Sequence, residues 1–272
     1  MTTDARDIEL VRFHGREQAT RADLVAHEEP LEIQINGTSI AVLMRTPGHD
    51  EELVRGFLLT ERVVSSLAQI DSMRHCTLAP DPEAEDNVMQ VRLRPDVPFD
   101  LERLRRHLFA SSSCGVCGKA TIENAMTLAP PLDDTAELDA AALYRLPALL
   151  RSAQDGFART GGLHAAGLFS LEGALLALRE DVGRHNAVDK VIGVLLERRL
   201  DARTCCLVVS GRVSYELVQK AVAARIPVLA GVSAPTSLAV RAATAHRLTV
   251  VGFLRGETMN VYAMPGRVRA TP

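Results

Sequence analysis

The feature of this sequence that most constrains its fold is an alternation of strand-like and helix-like segments in the last third. Short runs rich in Val, Leu and Ala predict strands at residues 164–171, 174–179, 205–209, 227–232 and 248–253. Between the strands, apolar residues at i, i+3 and i+4 spacing predict helices at residues 186–199, 214–225 and 236–245. This order is typical of right-handed crossovers in a largely parallel sheet that is covered on both faces, and the first two strands, joined at Glu172-Gly173, are predicted to form a hairpin. We therefore predict an α/β fold with a three-layer α/β/α sandwich over residues 156–272.

The first 110 residues have the pattern of a smaller α+β domain. Alternating residues on both sides of Asn36-Gly37 predict a β-hairpin, because both turn residues accept positive φ. An apolar helical stripe begins at Leu53, and strand patterns follow at residues 73–78 and 88–94. The polar residues up to about Glu28 show weak periodicity and are expected to be partly disordered. Residues 111–155 are predicted to form a flexible loop and a helical linker between the two domains.

Composition narrows the classes of function. The net charge of −3 gives no general attraction to nucleic acid or to an anionic membrane. The polar, acidic N-terminus is unlike a signal peptide, and no apolar run is long enough to span a bilayer. Five cysteines without a framework of spacings fit a reducing compartment. We therefore expect a cytoplasmic protein that binds neither nucleic acid nor membrane, and a phosphate-bearing partner would need a local site.

Polar clusters follow the predicted strand ends, where ligands bind in sheets of this type. They occupy residues 181–190, 210–214, 233–237 and 255–257, and a further cluster at residues 161–164 precedes the first strand. Helix capping explains any one cluster, and a structural role explains His185 equally well. The common position of the clusters, and the Arg and Lys residues in them, favour an anion-binding cleft.

Cys114 and Cys117 lie three residues apart among serines and glycines, which predicts accessible thiols in a loose loop. Such a pair serves as half of a metal site, as a redox pair or as a nucleophilic sulfur carrier. Structural zinc needs two further ligands, and neither Cys76 nor Cys205-Cys206 supplies a second pair, so no metal is expected. A dithiol oxidoreductase remains the main competing class, although its thiols would be expected at a strand-to-helix junction. A sulfur carrier is favoured, since Lys119 and a following helix start would lower a thiol pKa.

Together these motifs resemble the formate dehydrogenase accessory sulfurtransferase family, the FdhD type. The most specific of them is Asp181-Val182-Gly183-Arg184-His185-Asn186-Ala187-Val188-Asp189-Lys190. The others are Ser113-Cys114-Gly115-Val116-Cys117-Gly118, Gly161-Gly162-Leu163-His164, Ser210-Gly211-Arg212 and Phe253-Leu254-Arg255-Gly256. The resemblance covers most of the chain, from Thr46 to the C-terminus.

The resemblance implies a cytoplasmic homodimer that moves persulfide sulfur from a cysteine desulfurase to bis-molybdopterin guanine dinucleotide, the molybdenum cofactor that apo formate dehydrogenase needs for activity. It maps the persulfide carrier to Cys114, which Cys117 would protect or resolve. It maps the cofactor-binding segment to Phe253, Leu254, Arg255, Gly256, Glu257 and Thr258. We expect Gly211 and Arg212 to take phosphates of the guanine nucleotide, and His185 and Asn186 to line the pocket. A non-catalytic chaperone that binds the same cofactor is the alternative function.

The resemblance also implies a C-terminal domain similar to cytidine deaminases. A zinc deaminase needs His-x-Glu at one helix start and Pro-Cys-x-x-Cys at the next. The corresponding positions read Arg184-His185-Asn186 and Ser210-Gly211-Arg212. Because the metal ligands and the glutamate are absent from these positions, we expect neither deaminase chemistry nor a bound metal.

Overall fold

The structure is a computed structural model that describes residues 4–76, 86–98, 129–132 and 136–270. The strands in these residues are β1 (Ala5–His14), β2 (Glu17–Ala26), β3 (Glu29–Ile35), β4 (Thr38–Arg45), β5 (Ile70–His75), β6 (Val88–Leu93), β7 (Leu138–Asp139), β8 (His164–Ser170), β9 (Leu175–Asp181), β10 (Cys205–Val209), β11 (Val228–Gly231), β12 (Thr249–Arg255), β13 (Thr258–Ala263) and β14 (Val268–Arg269). The α-helices are α1 (Asp50–Thr60), α2 (Ala140–Ser152), α3 (Asp155–Thr160), α4 (Arg184–Glu197), α5 (Tyr215–Ala223) and α6 (Ser237–Ala245). No helix within these ranges is both long and apolar enough to cross a membrane.

The last third of the chain folds as a six-stranded sheet in the order β13-β12-β11-β10-β8-β9. The prediction of a largely parallel sheet is wrong, because only β10, β11 and β12 run parallel to one another. At one side, the predicted hairpin through Glu172-Gly173 is confirmed, and β8 also runs antiparallel to β10. At the other side, β12 turns directly back into β13 without a crossover helix.

Helices cover both faces of this sheet as predicted, but the helices that alternate with the strands cover only one of them. Helices α4, α5 and α6 pack on one face, where they bury the side chains of Leu207 and Val250. Helix α2 lies in the predicted linker and packs on the other face, where it covers Val208 and Val251. Successive residues of a strand point to opposite faces, so Cys205 and Cys206 are buried in different layers. The result is a three-layer α/β/α arrangement.

The N-terminal unit is a four-stranded sheet in the order β4-β3-β6-β5 with α1 on one face. The hairpin predicted at Asn36-Gly37 joins β3 to β4. Alternate residues of β3 and β6 point inward, and Leu31, Ile33 and Val91 pack with Phe57 of α1. The domain limits at residues 110 and 155 stay predictions.

The first 26 residues contain an element that the sequence did not predict. Strands β1 and β2 pair along their full length in a two-stranded sheet, from Ala5 opposite Ala26 to His14 opposite Glu17. The expectation of partial disorder up to Glu28 is therefore wrong for residues 4–28. Most side chains of this hairpin are exposed on both faces, so the sequence lacks the apolar and polar alternation that marks a half-buried strand.

Helix α1 joins the two units, because its second face packs on α4. A Cβ atom added at Gly56 would lie 1.9 Å from the carbonyl oxygen of Asp189. A Cβ atom added at Gly193 would lie 2.0 Å from the carbonyl oxygen of Glu52. The two helix backbones therefore touch, and neither glycine leaves room for a side chain. We call this contact between α1 and α4, with the polar groups at its two ends, the docking surface.

Candidate functional site at the strand ends

The polar clusters at the predicted strand ends meet at one edge of the six-stranded sheet. His164, at the start of β8, lies opposite Asp181, at the end of β9. The hydroxyl oxygen of Ser210 accepts a hydrogen bond from the amide of Ala165 at 3.0 Å, which joins the end of β10 to the same edge. The amide of Val232 donates to the carbonyl of Val209 at 3.2 Å, which adds the end of β11. The expectation of a shared edge is confirmed.

A cavity of about 540 Å³ opens at this edge, on the side of α2 and α3. Its apolar lining includes Leu150, Phe157 and Leu163, and its polar lining includes Arg151, His164 and Ser210, with Gly161, Gly162 and Val232 beside them. We call it the strand-end cavity. The Arg151 guanidinium lies 4.3 Å from the centre of the Phe157 ring, within the range of a cation–π contact. An apolar pocket of this size with a few polar groups suits one ring system of a larger ligand.

The predicted cofactor segment forms the hairpin between β12 and β13, beside the cavity. Gly256 and Glu257 make the turn, and the carbonyl of Arg255 accepts a hydrogen bond from the hydroxyl of Thr258 at 3.0 Å. Nε of Arg255 donates to the carbonyl of Val232 at 2.9 Å, which places this arginine at the border of the cavity. The structure therefore has a tight hairpin where we expected the end of the last strand.

Two neighbours in this hairpin point in opposite directions. The side chain of Leu254 is fully buried in the layer under α2. The ring of Phe253 is 40% exposed, and its backbone has a φ of +51°, an unusual conformation for a bulky residue. Backbone strain of this kind, worth about 1–3 kcal/mol, tends to occur at binding sites. Phe253 is thus an accessible aromatic surface next to Arg255.

The other predicted contacts lie along the same edge. Gly211 is next to His164, since a Cβ atom added to it would lie 3.6 Å from Nδ1 of that histidine. Arg212 is exposed and makes no ion pair or hydrogen bond with the described part of the chain. His185 and Arg184 form the first turn of α4. None of Gly211, Arg212 and His185 lines the cavity itself.

The two histidines of this edge are held neutral. Burial, with the positive charges of Lys220 and Arg184, lowers the pKa of His185 to about 4. Burial and Arg184 also lower the pKa of His164. The buried Nε2 of His185 lies 4.0 Å from a carboxylate oxygen of Glu216 and has no hydrogen-bond partner within the described ranges. A buried polar atom without a partner is expected where a ligand or water completes the site.

Most of the segment 181–190 serves the docking surface instead. Asp181 is fully buried, and its carboxylate accepts hydrogen bonds from the amide of Thr46 at 3.1 Å and from Nδ2 of Asn186 at 3.0 Å. Nδ2 of Asn186 also donates to the carbonyl of Met44 at 2.8 Å. Nζ of Lys190 lies 2.8 Å from Asp181 and donates to the carbonyl of Thr46. These residues hold the end of β4 and the loop that precedes α1 against α4. The assignment of Asn186 to cofactor binding stays a prediction.

A second buried ion pair holds the other end of α1. Nζ of Lys220 lies 2.8 Å from the carboxylate of Asp189. The hydroxyl of Thr60 donates to Asp189 at 2.8 Å, and Glu61 accepts from Lys220 at 3.2 Å. The spacing of Asn186, Asp189, Lys190 and Gly193 at i, i+3, i+4 and i+7 places them on one face of a helix. This spacing is the sequence signal that could have indicated the docking surface.

Some site residues were not predicted, and some predictions cannot be placed. Arg151 was missed because it lies in the predicted linker, and Phe157 was missed because it lies between that linker and the first predicted strand of the α/β domain. Cys114 and Cys117 lie outside the described residues. Among the residues that are described, no group of three or more His, Cys, Asp or Glu side chains could hold a metal ion.

Comparisons with known proteins cover almost the whole chain. The model of the FdhD/NarQ family matches residues 26–269. A protein from Nocardia farcinica named sulfur carrier protein FdhD is 50% identical over 266 residues, which are 96% of this chain and 94% of that protein. One of the same name from Mycobacterium tuberculosis is 51% identical over 257 residues, or 92% of this chain and 93% of that protein.

A solved structure shares the fold. It is a protein from Desulfotalea psychrophila described as a formate dehydrogenase accessory protein, with a TM-score of 0.77 and 24% sequence identity. The match covers 97% of this chain and 99% of that chain. The similarity of the C-terminal unit to cytidine deaminases stays a prediction.

Proposed function

The chain belongs to the FdhD/NarQ family, and we propose that it is a cytoplasmic sulfurtransferase that carries persulfide sulfur from a cysteine desulfurase to the molybdenum cofactor of formate dehydrogenase. The observation that carries this proposal is the 50% identity, over nearly the full length of both chains, to a protein named as a sulfur carrier. The substrate in this proposal is bis-molybdopterin guanine dinucleotide, and the apo dehydrogenase is the final recipient.

The strand-end cavity and its border suit the chemistry of that substrate. A pterin or guanine ring would lie in the cavity against Phe157 and Arg151. Its phosphates would then lie along the sheet edge, near Arg255 and Arg212. Guanidinium groups are good partners for phosphate oxygens because they offer several N–H donors in one plane. The neutral His164 adds a hydrogen-bonding group without a further charge.

The first step of sulfur transfer is the acceptance of sulfur by Cys114 of the thiol pair. The Cys114 thiolate attacks the outer sulfur of the desulfurase persulfide, so a new S–S bond forms on Cys114 while the donor's S–S bond breaks. The donor cysteine leaves as a thiolate, and no net oxidation or reduction occurs in this step. Cys205 and Cys206 are unsuited to this role, because burial raises the pKa of Cys205 to about 11 and also raises that of Cys206.

Mass spectrometry tests the carrier role. After incubation with a desulfurase and cysteine, the wild-type chain should gain about 32 Da, the mass of one persulfide sulfur. Cys114→Ser should not gain it, whereas Cys76→Ser, which removes another free cysteine, should. A wild-type chain that binds the cofactor but never gains this mass would instead be a cofactor chaperone. Gain of the mass by Cys114→Ser would reject the assignment of the carrier.

A further inference from the structure

The sheet of the N-terminal unit has one face that α1 does not cover. On β5 and β6, Met73, Val91 and Leu93 pack into the apolar core with α1. Successive residues of a strand point to opposite faces, so Arg74 and Arg92 point away from α1. Both arginines are exposed. Neither of them belongs to the docking surface or to the strand-end edge.

A cavity of about 380 Å³ opens on this face, beside the hairpin turn between β3 and β4. Its polar lining consists of Asn36, Ser72, Arg74, Gln90 and Arg92, and no described Asp or Glu side chain lines it. We call it the arginine cavity. The register places Ser72 opposite Arg92 and Arg74 opposite Gln90, so the two arginines are diagonal neighbours. Diagonal neighbours in a sheet lie about 7–8 Å apart, within the reach of two long side chains.

The two guanidinium groups have no carboxylate partner within the described ranges. Neither forms an ion pair or a hydrogen bond with the residues in them. Elsewhere in the same unit, Arg45 pairs with Asp50, and Arg94 pairs with Asp96. Like charges at neighbouring positions of a sheet destabilise it. An anion bound between the two guanidinium groups would offset that repulsion.

The polar groups beside the arginines are available as hydrogen-bond donors. The side-chain oxygen of Asn36 accepts a hydrogen bond from the amide of Leu93 at 3.1 Å, which fixes the orientation of this amide group. Nδ2 of Asn36 is left to donate, since it makes no hydrogen bond with a described residue. The Ser72 hydroxyl and the Gln90 amide are unpaired in the same sense. Two positive charges with several such donors suit an anion that has several oxygen atoms.

We propose that the arginine cavity binds the phosphate group of a small phosphorylated molecule. A phosphate monoester carries a charge of about −1.5 to −2 at pH 7 and has three strong acceptor oxygens. The charge on Arg74 and Arg92 therefore matches one phosphate monoester, whereas a single carboxylate would neutralise only half of it. The cavity volume lies at the lower end of the range for ligand pockets, about 300–1,000 Å³, so it suits a molecule of the size of a sugar phosphate.

This site is distinct from the strand-end cavity. The turn at Asn36 and Gly37 is at one end of β3 and β4, whereas Met44 and Thr46, at the other end, contact the segment 181–190. The proposal does not depend on the sulfur carrier role, because the arginine cavity contains neither cysteine of the thiol pair.

Isothermal titration calorimetry of the full chain with ribose 5-phosphate tests the site. The parent for this test is Arg212→Ala with Arg255→Ala, which removes the arginines expected to bind phosphate at the strand-end edge. The parent should bind the probe, and the further changes Arg74→Ala and Arg92→Ala should raise the dissociation constant about tenfold or more.

The matched control adds Arg94→Ala and Arg203→Ala to the same parent. These two arginines are also exposed, and their loss changes the net charge equally, but neither lines the cavity. The control should bind as the parent does, and circular dichroism checks that every variant is folded. A parent that does not bind the probe, or an affinity that is the same in the control and in the variant without Arg74 and Arg92, would overturn the proposal.

Two further titrations test the chemistry of recognition. Arg74→Lys with Arg92→Lys keeps both charges but loses the planar fork of donors, so it should bind ribose 5-phosphate more weakly than the parent and more tightly than the alanine variant. Succinate, a dicarboxylate of equal charge, should bind the parent more weakly than the phosphate does. A lysine variant as tight as the parent would reject the arginine geometry, and tighter binding of succinate would reject the assignment to phosphate.

Discussion

Helix α4 lies between two regions that differ in whether their polar groups have hydrogen-bond partners. At the docking surface, Asp181, Asp189 and Lys190 are almost fully buried, and each has hydrogen-bond partners. At the strand-end edge, the buried Nε2 of His185 has no partner in the described structure, and the Arg212 guanidinium is exposed. Satisfied buried groups hold a fold together, whereas an unsatisfied one indicates a place for a ligand. The polar segment 181–190 therefore has two roles. Asp189 and Lys190 belong to its structural half, which stabilises the fold, and His185 belongs to its binding half, which faces the strand-end edge.

The largest expected effect comes from breaking the buried pair at the docking surface. Asp189→Ala leaves the Lys220 ammonium buried without its main partner and should lower the free energy of unfolding by about 3–5 kcal/mol. Urea denaturation measures this loss. Replacing both residues by Leu should recover most of the stability, because no unpaired charge remains. A loss below about 1 kcal/mol in the single variant would show that the pair does not hold the two units together.

The second-largest loss of stability is expected from a substitution at the contact between α1 and α4. Gly56→Ala places a Cβ atom against the backbone of α4 and should lower the free energy of unfolding by about 1–3 kcal/mol, since the helices must separate. Gly266→Ala is the matched control, because a Cβ atom there has no neighbour within 4 Å. Thermal unfolding of both variants gives the comparison. Equal stabilities would contradict the close approach of α1 and α4.

The two regions should lose stability over different ranges of pH as acid is added. His185 has its pKa lowered to about 4 from 6.5, so the unfolded chain binds this proton more tightly, and the contribution of His185 to stability is lost as pH drops from 6.5 to 4. Burial raises the pKa of Glu52, but hydrogen bonds from Arg179 outweigh it and give a value of about 2 against 4.5. Glu52 therefore contributes stability that is lost as pH falls from 4.5 towards 2.

Unfolding measured across this pH range checks both windows. His185→Asn should flatten the upper window only, and Glu52→Gln should flatten the lower window only. If His185→Asn left the slope between pH 6.5 and 4 unchanged, the burial of its imidazole would be contradicted.

The smallest effect on stability should come from the exposed binding half. Arg212→Ala should change the free energy of unfolding by less than about 0.5 kcal/mol, because its side chain has no partner to lose. It should weaken binding of guanosine diphosphate, a probe for the nucleotide end of the cofactor, by about tenfold. Arg203→Ala is the control, since Arg203 is also exposed but pairs with Asp201 away from the edge. Isothermal titration calorimetry that finds equal affinities would remove Arg212 from the site.

The sequence predicted the strands and helices whose apolar residues recur at regular spacing. The runs at residues 205–209 and 227–232 became β10 and β11, and the helix pattern that includes Val188 and Val191 became α4. The meeting of strand ends followed from the geometry of such sheets. Strand β13 was not predicted although its residues alternate, because the last predicted strand ends at residue 253 and the polar cluster at residues 255–257 follows it.

Other features leave no periodic signal. Gly56 and Gly193 read as ordinary helix interruptions, and only their partners across the contact show why no side chain fits. The hairpin of β1 and β2 is exposed on both faces, so no burial pattern distinguishes it from a disordered segment. Asn186 and His185 are adjacent in sequence, yet the turn of the helix directs one to Met44 and the other towards Glu216.

The most direct test is a single-turnover transfer of labelled sulfur. The chain is loaded with a labelled persulfide, mixed with bis-molybdopterin guanine dinucleotide, and the label on the cofactor is followed over time. We predict that wild type and Arg203→Ala transfer at the same rate, while Arg255→Ala keeps its persulfide and transfers about tenfold more slowly, since it lacks a cation at the cavity border. Transfer by Arg255→Ala at the wild-type rate would contradict delivery at the strand-end cavity, and a wild-type chain that never takes up the label would contradict the carrier role itself.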